Sequence, residues 1–175
     1  MIFNEQTKSI PITKMMVWEA YKKVRSNKGS AGVDQQTLDD FYKVRSKELY
    51  KIWNRLTSGS YFPPEVKRVE ILKKDGKIRP LGIPTVSDRI AQQVIKTYLE
   101  PRLEAEFLEN SYGYRPNKSA HAAVKKVQEN VRKYSWVIDL DIKEFFENVN
   151  HELLLEALKV HVSEKWILML SLIHI

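Results

Sequence analysis

Residues 66–84 read VKRVEILKKDGKIRPLGIP. Val66, Arg68 and Glu70 alternate with Lys67, Val69 and Ile71, the two-residue period of a strand. Asp75-Gly76, inside KKDGK at 73–77, is a hairpin turn dipeptide, since glycine accepts the positive φ that such turns require. The return arm 78–84 carries Pro80 and Pro84, which lack an amide hydrogen and so limit it to a short or edge strand. A β-hairpin is therefore predicted at the centre of the chain, and the flanking segments read differently.

N-terminal to it, KMMVWEAYKKVRS (14–26) predicts an amphipathic helix with Met15, Trp18, Ala20, Tyr21 and Val24 as its apolar stripe. NKGSAGVD (27–34) breaks it with two glycines and a serine. A second helical pattern covers 35–57, through Leu38, Phe41, Tyr42, Leu49, Ile52, Trp53 and Leu56, and stops before Phe62-Pro63-Pro64. C-terminal to the hairpin, Ser87 or Asp88 is placed to cap a helix running to about Leu108, interrupted near Pro101. NSYGYRPNK (110–118) is a loop of turn formers, Ser119 opens a helix to about Tyr134, SWVIDLDI (135–142) predicts a strand, and Asn150 caps HELLLEALKVH. The order predicts a mixed α+β chain.

The chain has 175 residues, 43% hydrophobic and 29% charged, enough to bury a core. It has no cysteine, which excludes a disulfide scaffold, a thiol nucleophile and a thiolate metal site. No apolar run approaches the roughly 18 residues of a membrane helix, and the N-terminus lacks a signal-peptide pattern, so a cytoplasmic protein without a membrane partner is expected. No glycine-rich phosphate loop, dinucleotide fingerprint or Ser-His-Asp arrangement occurs, and the four histidines have no metal-ligand spacing. Net charge is +7, unevenly spread: residues 1–60 carry 11 basic and 6 acidic residues, 61–135 carry 15 and 9, and 136–175 carry 3 and 7. A basic body that grips phosphates, next to a knot of carboxylates that holds a divalent metal, suits an enzyme of nucleic acid, although solvated helix faces give similar clusters.

Four groups of residues are candidates for chemistry. On a strand at 136–142, Asp139 and Asp141 share one face, and Mg²⁺ takes one or two carboxylates plus substrate phosphates. Asp141 with Glu144 is equally a capping-box spacing. Lys73 and Arg79 flank the hairpin turn and could bind one triphosphate as point charge and fork, or be ordinary turn residues. Tyr112, Tyr114, Arg115 and Lys118 share one loop, where rings stack on bases and cations meet phosphates, or where tyrosines pack the loop. Phe145 and Phe146 follow the acidic segment and could equally be core aromatics.

Taken in order, GSAGVD (29–34), KKDGKIRPLGIPTVSDRIAQQ (73–93), SYGYRPNKSAHAAV (111–124) and VIDLDIKEFFENVNHELL (137–154) resemble the bacterial retroelement reverse transcriptases, most closely those encoded by group II introns. The resemblance spans about residues 15–169. It implies the reverse transcriptase fold: an N-terminal extension and first fingers helices in 1–60, the rest of the fingers in 61–134, and the start of the palm in 135–169. It implies DNA synthesis on an RNA template by two-metal phosphoryl transfer with Mg²⁺. Partners would be template RNA, DNA primer, deoxynucleoside triphosphates and intron RNA, in a bacterial cytoplasm.

By the same resemblance Asp141 is the first metal-binding aspartate, the main-chain carbonyl of Ile142 a further ligand, and Asp139 a supporting carboxylate. Lys73 and Arg79 bind the incoming triphosphate. Phe145, or less favourably Phe146, packs under the sugar. Asn27, Lys28, Gly29 and Ser30, in the 27–32 loop, lie over template RNA, and Tyr114, Arg115 and Lys118 lie near the template strand. The family's Tyr-x-Asp-Asp box, the Gln-Gly motif before it and the thumb do not occur in these residues and are expected beyond residue 175. A fragment that does not polymerise alone is therefore expected, or an RNA-binding maturase module. LSLIHI (170–175) matches the translation of a transposon-end DNA used in sequencing libraries, CTGTCTCTTATACACATC, and is expected to be non-native.

Overall fold

The computed structural model describes residues 10–72, 76, 78–145, 148–163 and 167–168. Lys73, Phe146 and the 170–175 tail lie outside the described residues. The chain divides into two compact units, Met1–Tyr98 with Val162–Ile175, and Leu99–His161.

In the first unit, α1 (Lys14–Ser26) starts where the Thr13 hydroxyl accepts the Met16 amide, satisfying a donor that has no intrahelical partner. Helix α2 (Leu38–Ser58) starts at Thr37, whose Oγ1 accepts the Asp40 amide while donating to the Asp40 carboxylate at 2.6 Å. That bond, with Lys43 at 3.0 Å, holds the Asp40 carboxyl below the usual carboxylate range. The helix begins three residues later than its apolar period predicts, because Gln35 sits at φ 57 and Thr37 supplies the cap. Gly59, at φ 69, ends it in the left-handed conformation that glycine adopts without a Cβ clash.

The buried face of α1 is Val17, Ala20, Tyr21 and Val24; Met15 and Trp18 are exposed, so the predicted stripe is displaced around the helix. Tyr21 stacks on Phe41 with ring centroids 5.6 Å apart. Predicted as apolar, Tyr42 instead faces outward, its ring flanked by the guanidinium groups of Arg25 and Arg45, each 4.1 Å from the centroid. Such cation–π contacts favour an exposed tyrosine by about 0.5–1 kcal/mol apiece.

Strands β1 (Lys67–Leu72) and β2 (Ile78–Ile83) pair antiparallel, from Lys67 opposite Ile83 to Leu72 opposite Ile78. This is the predicted hairpin. Both faces are largely open to solvent, with Ile71, Leu72, Ile78 and Leu81 exposed. Pro80 stands opposite Glu70 within this two-stranded ribbon, where every strand is an edge.

Helix α3 (Val86–Glu104) lies in the first unit through Tyr98. It begins before the predicted caps because the Thr85 hydroxyl accepts the Asp88 amide. It ends at Glu104 rather than near Leu108, and Pro101 sits inside it. Ile90, Ala91, Val94 and Ile95 are buried, as their period predicts, and Val86 is buried with them; the valines and isoleucines each contribute about 1.5–3 kcal/mol through apolar burial. Asp88 is buried with them: Tyr61 Oη donates to its Oδ1 at 3.1 Å and Gln92 Nε2 to its Oδ2 at 2.9 Å. Burial and the Asp88 carboxylate together push the Tyr61 phenol far above its ordinary range.

In the second unit, the loop after α3 leads to α4 (Ala120–Val131), capped as predicted by Ser119, whose Oγ accepts the Ala122 amide. The helix stops three residues short of Tyr134. Helix α5 (His151–His161) is capped as predicted by Asn150, whose Oδ1 accepts the amides of Glu152 and Leu153. Neither helix has a buried residue.

The predicted strand at 135–142 does not form. Among the described residues, 136–142 joins no ladder, and Trp136, Val137, Ile138, Leu140 and Ile142 are exposed on both alternating faces. The sequence has strand propensity, but propensity without a hydrogen-bonding neighbour does not hold a strand in water.

Candidate functional site

Three segments carry the candidate residues: the loop 27–32 and the hairpin in the first unit, and residues 104–145 in the second.

The 27–32 loop leaves α1 through Asn27, whose amide bonds to the Lys23 carbonyl at 3.1 Å. Lys28 has φ 57 and Gly29 φ 117. Asn27, Lys28, Gly29 and Ser30 are exposed, whereas Gly32 is buried. A Cβ on Gly32 would stand 2.7 Å from the Thr85 Cα, so only glycine lets the loop backbone approach the start of α3 this closely. An open cleft of about 350 Å³ adjoins the loop, lined by Val24, Asn27, Lys28, Arg89, Gln92, Gln93 and Lys96. It places three basic residues beside three side-chain amides, a composition that accepts phosphate oxygens and base edges.

On the hairpin, Arg79 pairs across the ladder with Ile71 and is exposed. An exposed guanidinium next to the turn end of a solvated ribbon is accessible to a polyphosphate. Its proposed companion Lys73 falls outside the described residues.

The loop 105–118 is organised by Arg115. Its Nε and Nη2 donate to Glu104 Oε1 at 3.0 and 2.7 Å, and its Nη1 donates to the carbonyls of Leu108 and Ser111 at 2.7 and 2.8 Å. Its side chain is only 9% exposed and lies over the Phe107 ring. This guanidinium is committed to the loop's own backbone. The Arg115 hydrogen bond, foremost, holds the Glu104 carboxyl below its ordinary range. Lys118 Nζ likewise donates to the Glu109 carbonyl at 2.9 Å and lies over the Tyr112 ring. Tyr114, by contrast, is fully exposed at φ 57. A β-region tyrosine would avoid that conformation, so the loop braced by Arg115 presents an aromatic face to solvent.

Asp139, Asp141 and Ile142 are exposed, and Phe145 is half exposed. Among the described residues no helix starts at Asp141: Glu144 has φ 51, and the Asn148 amide bonds back to the carbonyls of Glu144 and Phe145. The capping-box alternative therefore has no helix to cap. No group of three or more acidic or histidine side chains gathers among the described residues. The donor set, one or two exposed carboxylates with a main-chain carbonyl, fits Mg²⁺ as part of a shell that substrate phosphates and further ligands complete.

Arg89 is the residue that sequence pattern does not single out. Within SDRIAQQ it reads as one charge on a helix, yet its side chain reaches the carbonyls of the 27–32 loop. No helix among the described residues is long and apolar enough to cross a membrane.

The family model described as "Reverse transcriptase (RNA-dependent DNA polymerase)" matches residues 71–174. The chain is 35% identical over 148 residues to the group II intron-encoded protein LtrA of Lactococcus lactis, covering 83% of this chain and 24% of LtrA. It is 36% identical over 153 residues to protein YkfC of Escherichia coli, covering 83% of this chain and 40% of that protein. Nuclear intron maturase 1, mitochondrial, of Arabidopsis thaliana is 29% identical over 96 residues, 53% of this chain and 14% of its own length. The chain thus spans about a quarter of the length of LtrA. With the matched region holding β2, the Tyr114 loop and the Asp139–Asp141 segment, the chain belongs to the reverse transcriptase family, and the relatives it resembles include a group II intron-encoded protein and an intron maturase.

Proposed function

We propose that this chain provides the template- and nucleotide-handling part of an RNA-directed DNA polymerase of the group II intron type. The observation that carries the reading is the family match across residues 71–174, the stretch that holds Arg79 and Asp141. Residues 61–134 act as fingers and 135–169 as the first part of the palm. Arg79, with Lys73, binds the triphosphate of the incoming nucleotide. Phe145, or less favourably Phe146, packs under its sugar. Asn27, Lys28, Gly29, Ser30 and Tyr114 face the template RNA, and Arg115 and Lys118, near the template strand, serve by holding the Tyr114 loop.

Asp141, the Ile142 carbonyl and, in support, Asp139 hold Mg²⁺. When bound, the metal supplies charge stabilisation to the phosphoryl group being transferred. The exposed 136–142 segment takes up its strand form against neighbouring palm strands. Since the 175 residues contain no Tyr-x-Asp-Asp box, they bind template and primer and do not extend a primer alone. Primer extension tests this. No Mg²⁺-dependent synthesis is expected from this chain, and synthesis by it refutes the assignment.

A second reading, an RNA-binding module that assists intron splicing, is favoured by the net charge of +7 and by relatives named as maturases. In a complete enzyme, Asp141→Ala abolishing extension with RNA affinity retained supports the polymerase. Salt-dependent binding of intron RNA with no nucleotide addition by the complete protein supports the maturase.

A further inference from the structure

The 27–32 loop is held from beneath. Arg89 sits one turn into α3. Its Nη2 donates to the Ser30 carbonyl at 2.8 Å, and its Nη1 makes a longer contact of 3.5 Å with the Lys28 carbonyl. The two carbonyls flank Gly29, and a Cβ on Gly29 would stand 2.5 Å from Nη1. Gly29 therefore meets two demands at once: φ 117, and a guanidinium seated against its Cα. Burial lowers the affinity of this guanidinium for its proton, while the Asp34 carboxylate opposes that. Its Nε is buried without a partner among the described residues. Leaving that donor unpaired is costly, and the other two guanidinium nitrogens each donate to the loop backbone.

The consequence is directional. With its carbonyls turned toward Arg89, the loop leaves Asn27, Lys28 and Ser30 exposed. We infer that Arg89 is a positioning residue, forked between the Lys28 and Ser30 carbonyls, that fixes the 27–32 loop in the shape in which it meets a nucleic-acid strand. This rests on the reading of that loop as a template contact. Lysine does not replace it: an ammonium is a point donor, whereas the planar fork reaches two carbonyls from one fixed plane.

The test uses the 175-residue chain with Arg89→Ala, Arg89→Lys and Gly29→Ala, the helical circular dichroism of each being matched to the parent. Two quantities are measured: the rate of trypsin cleavage after Lys28, and the affinity for a fluorescein-labelled single-stranded RNA across a salt series. Release of the loop raises cleavage by about 10- to 100-fold, the scale of losing charge-assisted hydrogen bonds. It weakens RNA binding by about 5- to 10-fold, as the competent loop shape becomes a minor population. Gly29→Ala does the same without altering charge, and Arg89→Lys is not a rescue. The slope of log affinity against log salt stays at the parent value in all three.

Unchanged cleavage in variants of a chain that binds RNA overturns the latch alone. Faster cleavage with unchanged RNA affinity overturns the positioning role. Full rescue by Arg89→Lys, or a slope reduced by about 0.7 in Arg89→Ala, makes Arg89 a direct phosphate contact instead. A parent chain that binds no RNA overturns the template reading, and the positioning role with it, whatever the cleavage rates.

Discussion

Replacing Arg115 with alanine removes four donor contacts from one loop: two to Glu104, and one each to the carbonyls of Leu108 and Ser111. The pair with Glu104 is open to solvent on the carboxylate side and is screened, so it adds little. The two carbonyl contacts come from a charged donor on a largely buried side chain, and at the low end of their range they contribute about 1.5 kcal/mol each. Their loss, about 3 kcal/mol, raises the opening constant of the loop by about 10²-fold. Native-state hydrogen exchange reads this directly at the Ser111 amide, which bonds to the Leu108 carbonyl at 3.0 Å. The Ser111 amide exchanges about 10²-fold faster in Arg115→Ala, while amides within α1 and α2 keep their parent rates. Exchange within about threefold of the parent, together with a weaker salt dependence of RNA binding, would show that Arg115 spends its charge on phosphate and refute the fork.

Tyr61→Phe deletes the hydrogen bond to buried Asp88; a loss of about 1–3 kcal/mol is expected, read as a lower urea midpoint at unchanged slope. The Glu104 carboxyl is held below its ordinary value of 4.5 by Arg115, so the loop support it gives is complete above that value and is lost as pH falls through the lowered one. Protection of the Ser111 amide, corrected for intrinsic exchange, therefore stays flat from neutral pH to the ordinary glutamate range and then drops, and Glu104→Gln removes the drop. Amides of 136–142, outside any ladder among the described residues, exchange near the unprotected rate in the isolated chain; strong protection there would mean that a strand partner is present after all.

The elements that were legible in sequence are those whose determinants are local. Ser119 and Asn150 carry their caps in their own hydroxyl or amide, the two arms of the hairpin carry their strand pattern in consecutive residues, and the α3 period from Ile90 to Ile95 matches its buried face. What was not legible depends on partners distant in the chain. Trp18 and Tyr42 read as core because apolar pattern does not reveal which side of a stripe meets another helix, nor that two arginines will flank a ring. Residues 135–142 read as a strand from composition, although a strand exists only with a neighbour. Arg115 and Arg89 show the same limit at the site. Arg89 is a single basic letter in a polar stretch, and only tertiary structure turns it toward carbonyls 59 and 61 residues away; Arg115 reads as a phosphate contact, and the turn of its own loop, not visible in the letters, brings carbonyls 4 and 7 residues away onto it. The motif order was legible because each motif lies in consecutive residues, and the family match covers the three motifs from residue 73 on.

The proposed polymerase role rests most directly on Asp141, and the measurement is DNA-primer extension on an RNA template by a chimera in which this chain replaces the matching segment of LtrA. The chimera is expected to extend with Mg²⁺, and Asp141→Ala to lower its rate by about 10²–10³-fold or more while template affinity is kept, the scale on which loss of one charge-stabilising group acts. An Asp141→Ala chimera that extends as fast as its parent would contradict the account.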